Sequence, residues 1–179
     1  MTLKLLADTP RVWTYASLGE ELSMSASQVF RSVARAEGAR LLGSPISSPF
    51  LPAPGPTNRA IALPFLPNKT NLKEFLVHGA KYAFPPQRGA MVRGIPTAHA
   101  APPLNQHFAD SFEPPPVWPD PQGTARGIEF SPLYRNVPAA ARRDEKLYEL
   151  LALVDAIRDG RVREREIAAR ELTSRIDSL

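Results

Sequence analysis

Between Leu22 and Leu42 the chain reads LSMSASQVFRSVARAEGARLL, and its polar residues are of the types that read nucleic acid. Arg31 and Arg35 stand one helical turn apart, Gln28 precedes them by a turn, and Ser27 and Ser32 lie beside them. An arginine fork matches guanine, a glutamine amide matches adenine, and a serine hydroxyl bonds to either base edges or phosphate. These side chains work together only if a helix presents them on one face. Ala26, Val29, Val33 and Ala36 recur at spacings of three and four, so they predict such a helix with an inward apolar stripe and Gln28, Arg31, Ser32 and Arg35 outward. Ser25 precedes the stripe and is the expected N-cap, its oxygen accepting an otherwise unbonded backbone N–H. Upstream, residues 14–22 predict a shorter helix with Ala16, Leu18 and Leu22 turned inward, broken by Ser23-Met24-Ser25.

Other chemistries find no comparable constellation. His78, His99 and His107 are the only histidines, and none forms a metal-binding pair of the His-x-x-x-His type. His107 and Asp110 stand three apart, a spacing that can orient an imidazole, but no Gly-x-Ser-x-Gly nucleophile accompanies them. A phosphate-cradling glycine loop followed by lysine is also missing. Cysteine is absent, which removes disulfides and thiolate ligands. The expectation is a protein that is not an enzyme and needs no cofactor or metal.

The segment from Leu22 resembles the winged helix-turn-helix regulators of bacteria, the MarR-like and GntR-like families. Their pattern runs approximately Leu-Gly-Met-Ser-x-Ser-Thr-Val-Ser-Arg-Ala. Leu22, Met24, Ser25, Ser27, Val29, Arg31, Arg35 and the closing Leu41-Leu42 fall in register with it. Ser23 and Arg40 depart from it, each standing where those families usually have glycine. The resemblance implies duplex-DNA binding through Ser25, Ser27, Gln28, Arg31, Ser32 and Arg35, with a wing following the second helix. An ordinary helical hairpin with a solvated arginine face is the alternative.

The 179 residues are 43% hydrophobic with a net charge of +4, and the isoelectric point near 9.7 suits a nucleic-acid ligand. Both ends are nearly neutral. From Pro45 to Ala109, six basic side chains (Arg59, Lys69, Lys73, Lys81, Arg88, Arg93) face Glu74 alone. Arg59 is the candidate wing contact to phosphate or minor groove, or else one charge of a solvated loop. Nineteen of the twenty prolines lie between Pro45 and Pro138, so long helices are excluded there. Residues 59–63 are the expected returning strand. One helix, from about Asn71 to Tyr82, interrupts this region with Leu72, Phe75, Leu76 and Gly79 inward. Residues 91–96 and 125–130 read as short strands, the second entered through the turn 119–123. Tyr82, Phe84, Phe108, Phe112, Trp118, Phe130 and Tyr134 argue that the region is packed rather than solvated.

Beyond it, Asn136 and Pro138 open a helix whose stripe Leu147, Leu150, Leu151, Val154 and Ile157 ends at Gly160. A second helix carries Ala169, Leu172, Ile176 and Leu179, with Glu166–Arg170 and Glu171–Arg175 pairs on its exposed face. The stripe calls for a partner, either a second copy in a two-fold dimer or the helix's own domain.

The expected fold is mainly α: a winged helix-turn-helix domain at 1–66, a Pro-rich irregular layer with short strands and one helix at 67–137, and C-terminal dimerising helices at 138–179. The expected function is sequence-specific transcriptional regulation on duplex DNA as a homodimer in the cytoplasm, with no membrane partner and with room for a second protein on the Pro-rich layer. The alternative is a protein-interaction module of antitoxin-like or complex-associated type built on the same winged helix.

Overall fold

The computed structural model describes residues 1–9, 11–43, 66–108 and 113–179. The expected returning strand at 59–63, Arg59, Asp110 and Phe112 lie outside them. The chain is mainly α, with helices at its N-terminal end, a short irregular sheet in the middle and packed helices at its C-terminal end. It divides into two compact units, Met1–Leu72 with Leu179, and Lys73–Ser178. Residues 73–137 and the C-terminal helices thus share one unit. No helix among the described residues is long and apolar enough to cross a membrane.

The first unit holds α1 (Thr2–Ala7), α2 (Tyr15–Leu22), α3 (Ala26–Gly38) and the start of α4 (Lys69–Glu74). Its core is Leu3, Leu5, Leu6, Trp13, Leu18, Leu22, Val29, Val33, Ala36 and Leu42, all buried. The α3 stripe is the expected one, although Ala26 at its first turn is only half-buried. Beyond α3, Leu42 bridges Pro67 antiparallel. Gly43 N–H donates to Leu66 O and Asn68 N–H to Leu41 O.

The helix expected from Asn71 is made of α4, a π turn (Phe75–Gly79) and α5 (Ala80–Ala83), with Leu72, Leu76 and Ala80 buried, while Phe75 and Gly79, also expected inward, are half-buried. Strands β1 (Arg88–Pro96), β2 (Pro116–Pro119) and β3 (Ala125–Phe130) each pair with both others, β1 antiparallel to its neighbours and β2 parallel to β3. Strand β2 was not expected, because prolines occupy both its ends. The turn into β3 closes through Asp120, whose carboxylate accepts from Gln122 N–H and whose carbonyl accepts from Gly123 N–H. Of the aromatics that suggested a packed region, Trp118 and Phe130 are fully buried, whereas Tyr82, Phe84 and Tyr134 face outward. Phe84 still meets Phe75 edge-on, and Tyr82 lies under Lys81.

The C-terminal segment divides differently from the single helix expected after Asn136. A short α6 (Val137–Ala141) is followed by α7 (Glu145–Asp159), because the Asp144 carboxylate accepts from Leu147 N–H and starts a new helix. Asn136 makes no side-chain cap. In α8 (Val162–Ser178) the inward residue is Ala168 rather than Ala169, in line with Leu172 and Ile176 at spacings of four. The Glu171–Arg175 pair forms, and Arg175 also reaches Glu149. Helix α7 is buried continuously from Leu150 to Arg158 and packs against α5, α6, α8 and the 3-10 turn Ala98–Ala100. The stripe that suggested a two-fold partner is therefore covered by its own unit.

A polar cluster sits inside that unit. Asp155, 1% exposed, accepts from Trp118 Nε1 (2.6 Å) and Thr97 Oγ1 (2.9 Å) on one oxygen and pairs with Arg158 on the other. Arg158 also donates to Phe84 O and Ser131 O. Burial pushes the Asp155 carboxyl up to about 6, against the opposing pull of Arg158, Thr97 and Trp118. The unfolded chain releases this proton near 3.8, so between these values the folded state binds it more tightly. Linkage then makes the Asp155 contribution to stability fall as pH rises from about 4 to about 6. Melting temperatures across that window should show the fall in the wild type relative to Asp155→Asn; parallel profiles would remove Asp155 as its source.

Candidate nucleic-acid interface

Two reciprocal caps set the helix pair. Thr14 Oγ1 accepts from Ser17 N–H, while Ser17 Oγ accepts from Thr14 N–H (both 3.0 Å). Ser25 Oγ accepts from Gln28 N–H (3.2 Å), and Gln28 Oε1 accepts from Ser25 N–H (2.9 Å). Each pair satisfies two backbone donors that the first turn leaves open and fixes the helix start. Between the helices Ser23 takes a left-handed conformation with φ 53°. That geometry folds the turn back on α2, where a Cβ on Gly19 would stand 2.5 Å from Met24 O. Only glycine tolerates so close an approach.

Helix α3 ends in a second left-handed residue. Arg40, φ 58°, donates its N–H to Glu37 O, and Leu41 N–H bonds to Ala36 O (both 2.8 Å), the paired bonds of a Schellman stop. Both positions where the chain departs from the winged-helix pattern, Ser23 and Arg40, are thus backbone positions that favour glycine. Arg40→Gly should raise stability by about 0.5–1 kcal/mol, since relief of the left-handed strain exceeds the added freedom of the unfolded glycine. Urea titration checks this, and a lower midpoint would mean that the Arg40 side chain contributes more than its backbone costs.

On α3, Ser27, Arg31 and Arg35 are exposed and spaced by four, so they form one ridge along the helix. Arg35 donates to Ser32 Oγ (3.0 Å), which holds its guanidinium along the face. The Arg31 guanidinium has no ion pair or hydrogen bond among the described residues. Ser25 and Gln28 stand differently from the other expected contacts. Their side chains are spent on the cap, so Gln28 cannot offer its carbonyl to adenine without opening the helix start. On the inner side Phe30 meets Tyr15 edge-on, with ring centres 5.5 Å apart. Burial, with Glu37 adding, raises the Tyr15 hydroxyl pKa.

The histidines of the second unit do not converge. His99 lies 3.7 Å from Glu164 and edge-on to Phe108, while His107 is exposed. Residues that spacing did not reveal are Gly19, legible only from the turn it packs under, and the Asp155 cluster, whose side chains come from three separate stretches of chain. No family model, curated protein or solved structure matches this chain.

Proposed function

We propose that the chain is a DNA-binding regulator that inserts α3 into the major groove, with Arg31 and Arg35 reading base edges and Ser27 and Ser32 bonding to bases or phosphate. Ser25 and Gln28 act mainly by holding the helix start. What carries this reading is the α2–α3 pair: a glycine under the turn, a left-handed residue within it, a capped second helix and an exposed ridge of Ser27, Arg31 and Arg35. The antiparallel return of the chain at Leu42 and Pro67 adds support, since a wing departs from and rejoins its helix in this way. Arg59, outside the described residues, is proposed as the wing contact. A homodimer remains part of the proposal, but its surface is not the α7 stripe, which the second unit already covers.

Arg31→Ala should weaken binding to the protein's own promoter region by roughly 1–3 kcal/mol, with an unchanged melting curve. Binding to an unrelated duplex should fall much less, because a base contact carries the sequence preference. Fluorescence anisotropy on both duplexes is the measurement. Equal losses would make Arg31 a phosphate contact, and no loss on either would overturn the reading of α3.

A further inference from the structure

The sheet of the second unit places two arginines directly opposite each other. Arg93 on β1 and Arg126 on β3 are antiparallel partners, so their side chains leave the same face of the ladder. Both are exposed. Like charges at such a pair are destabilising. The one carboxylate on the three strands, Glu129, is three residues from Arg126 and so leaves the opposite face. Among the described residues neither guanidinium makes an ion pair or hydrogen bond, and Asp120, whose N–H bonds to Arg93 O, has its carboxylate engaged with Arg142. Two residues along, Met91 and Ile128 form the next pair on this face, Met91 46% exposed, so no acid enters from that side either.

The backbone beneath the pair is rigid. Gly94 and Gly127, the residues following the two arginines, have no room for a side chain, since a Cβ on either would collide with the β2 side, at Trp118 O or Pro115 O. Asp120 N–H bonds to Arg93 O and ties the following turn to β1. The ladder therefore keeps two cations at one register on an exposed face and supplies no internal counter-ion.

We propose that this face of β1 and β3 grips the phosphate backbone of duplex DNA, with Arg93 and Arg126 on adjacent phosphates. The inference rests on DNA as the partner and adds to α3 a contact blind to sequence. An exposed ladder face with two cations at one register suits evenly spaced phosphates, whose recognition needs charge and reach but no pocket.

The test uses the full chain and a labelled duplex of unrelated sequence, titrated by anisotropy between about 50 and 200 mM salt. Each phosphate contact contributes about 0.9 to the slope of log K against log salt, so Arg93→Gln/Arg126→Gln should flatten the slope by roughly 1.8 and weaken binding about tenfold or more at low salt. Arg93→Lys/Arg126→Lys should restore most of the slope. The Gln variant should melt at the same temperature as wild type or higher, because it removes a repulsion, a change that loss of a purely structural contact would not give. An unchanged slope overturns the proposal. So does wild-type binding to a poly-glutamate peptide that the Gln variant loses while its DNA titration stays unchanged, which would assign the face to an acidic protein. Failure of the α3 reading is separate: it appears as Arg31→Ala binding the promoter duplex like wild type, whatever the slope measured for Arg93 and Arg126.

Discussion

Asp155→Ala is expected to cost roughly 3–5 kcal/mol of folding stability, enough to unfold most of a protein of ordinary stability at 37 °C. The substitution removes the acceptor of three buried donors at once. Arg158, 7% exposed, keeps a full positive charge without its carboxylate, and Trp118 Nε1 and Thr97 Oγ1 lose their partner in a site closed to water. Burial works against the Asp155 charge, yet with Arg158, Thr97 and Trp118 in the same dry volume only its oxygens satisfy them. Asp155→Asn retains one oxygen for Thr97 and Trp118 and should therefore cost less than alanine. The two midpoints in urea decide the matter. Equal losses for Asn and Ala would locate the effect in Arg158 alone, and a loss below about 1 kcal/mol for Ala would mean that water enters the site and replaces the carboxylate.

The contrast between α3 and this cluster shows which parts of the molecule are legible in the chain. Val29, Val33 and Ala36 follow the period of one helix, and Ser25 caps it from the adjacent position, so everything that places Arg31 and Arg35 outward is local. The capping role of Gln28 was not separable from base reading by spacing alone, because a residue three beyond a capping serine suits both. Longer-range features left weaker traces. An acid inside the apolar run Leu150–Ile157, followed three residues later by Arg158, is a sign of a buried pair, but its Trp118 and Thr97 partners depend on how the sheet meets α7. Strand β2 was hidden because proline lowers strand propensity, and here both prolines sit at strand ends, where a missing N–H costs little. The Arg-Gly pairs at Arg93 and Arg126 are visible in the sequence. Their opposition is not, since it requires the register of β1 on β3.

Val29→Asp is expected to unfold the first unit, with the second-largest loss. Val29 is fully buried on α3, which packs on α2. Removing its side chain from the core forfeits about 1.5–3 kcal/mol of burial. The carboxyl that replaces it must either remain ionised without a partner or hold a proton well above its ordinary pKa, each unit of that shift costing a further 1.4 kcal/mol or so. The sum is several kcal/mol, comparable with the whole stability of a small unit. Ala34→Asp is the control, because Ala34 is exposed on the same helix and a carboxylate there remains in water. Amide hydrogen exchange across residues 15–38 should be fast in Val29→Asp and close to wild type in Ala34→Asp. The reverse result would mean that the faces of α3 are exchanged, and with them the assignment of Arg31 and Arg35 to the outer ridge.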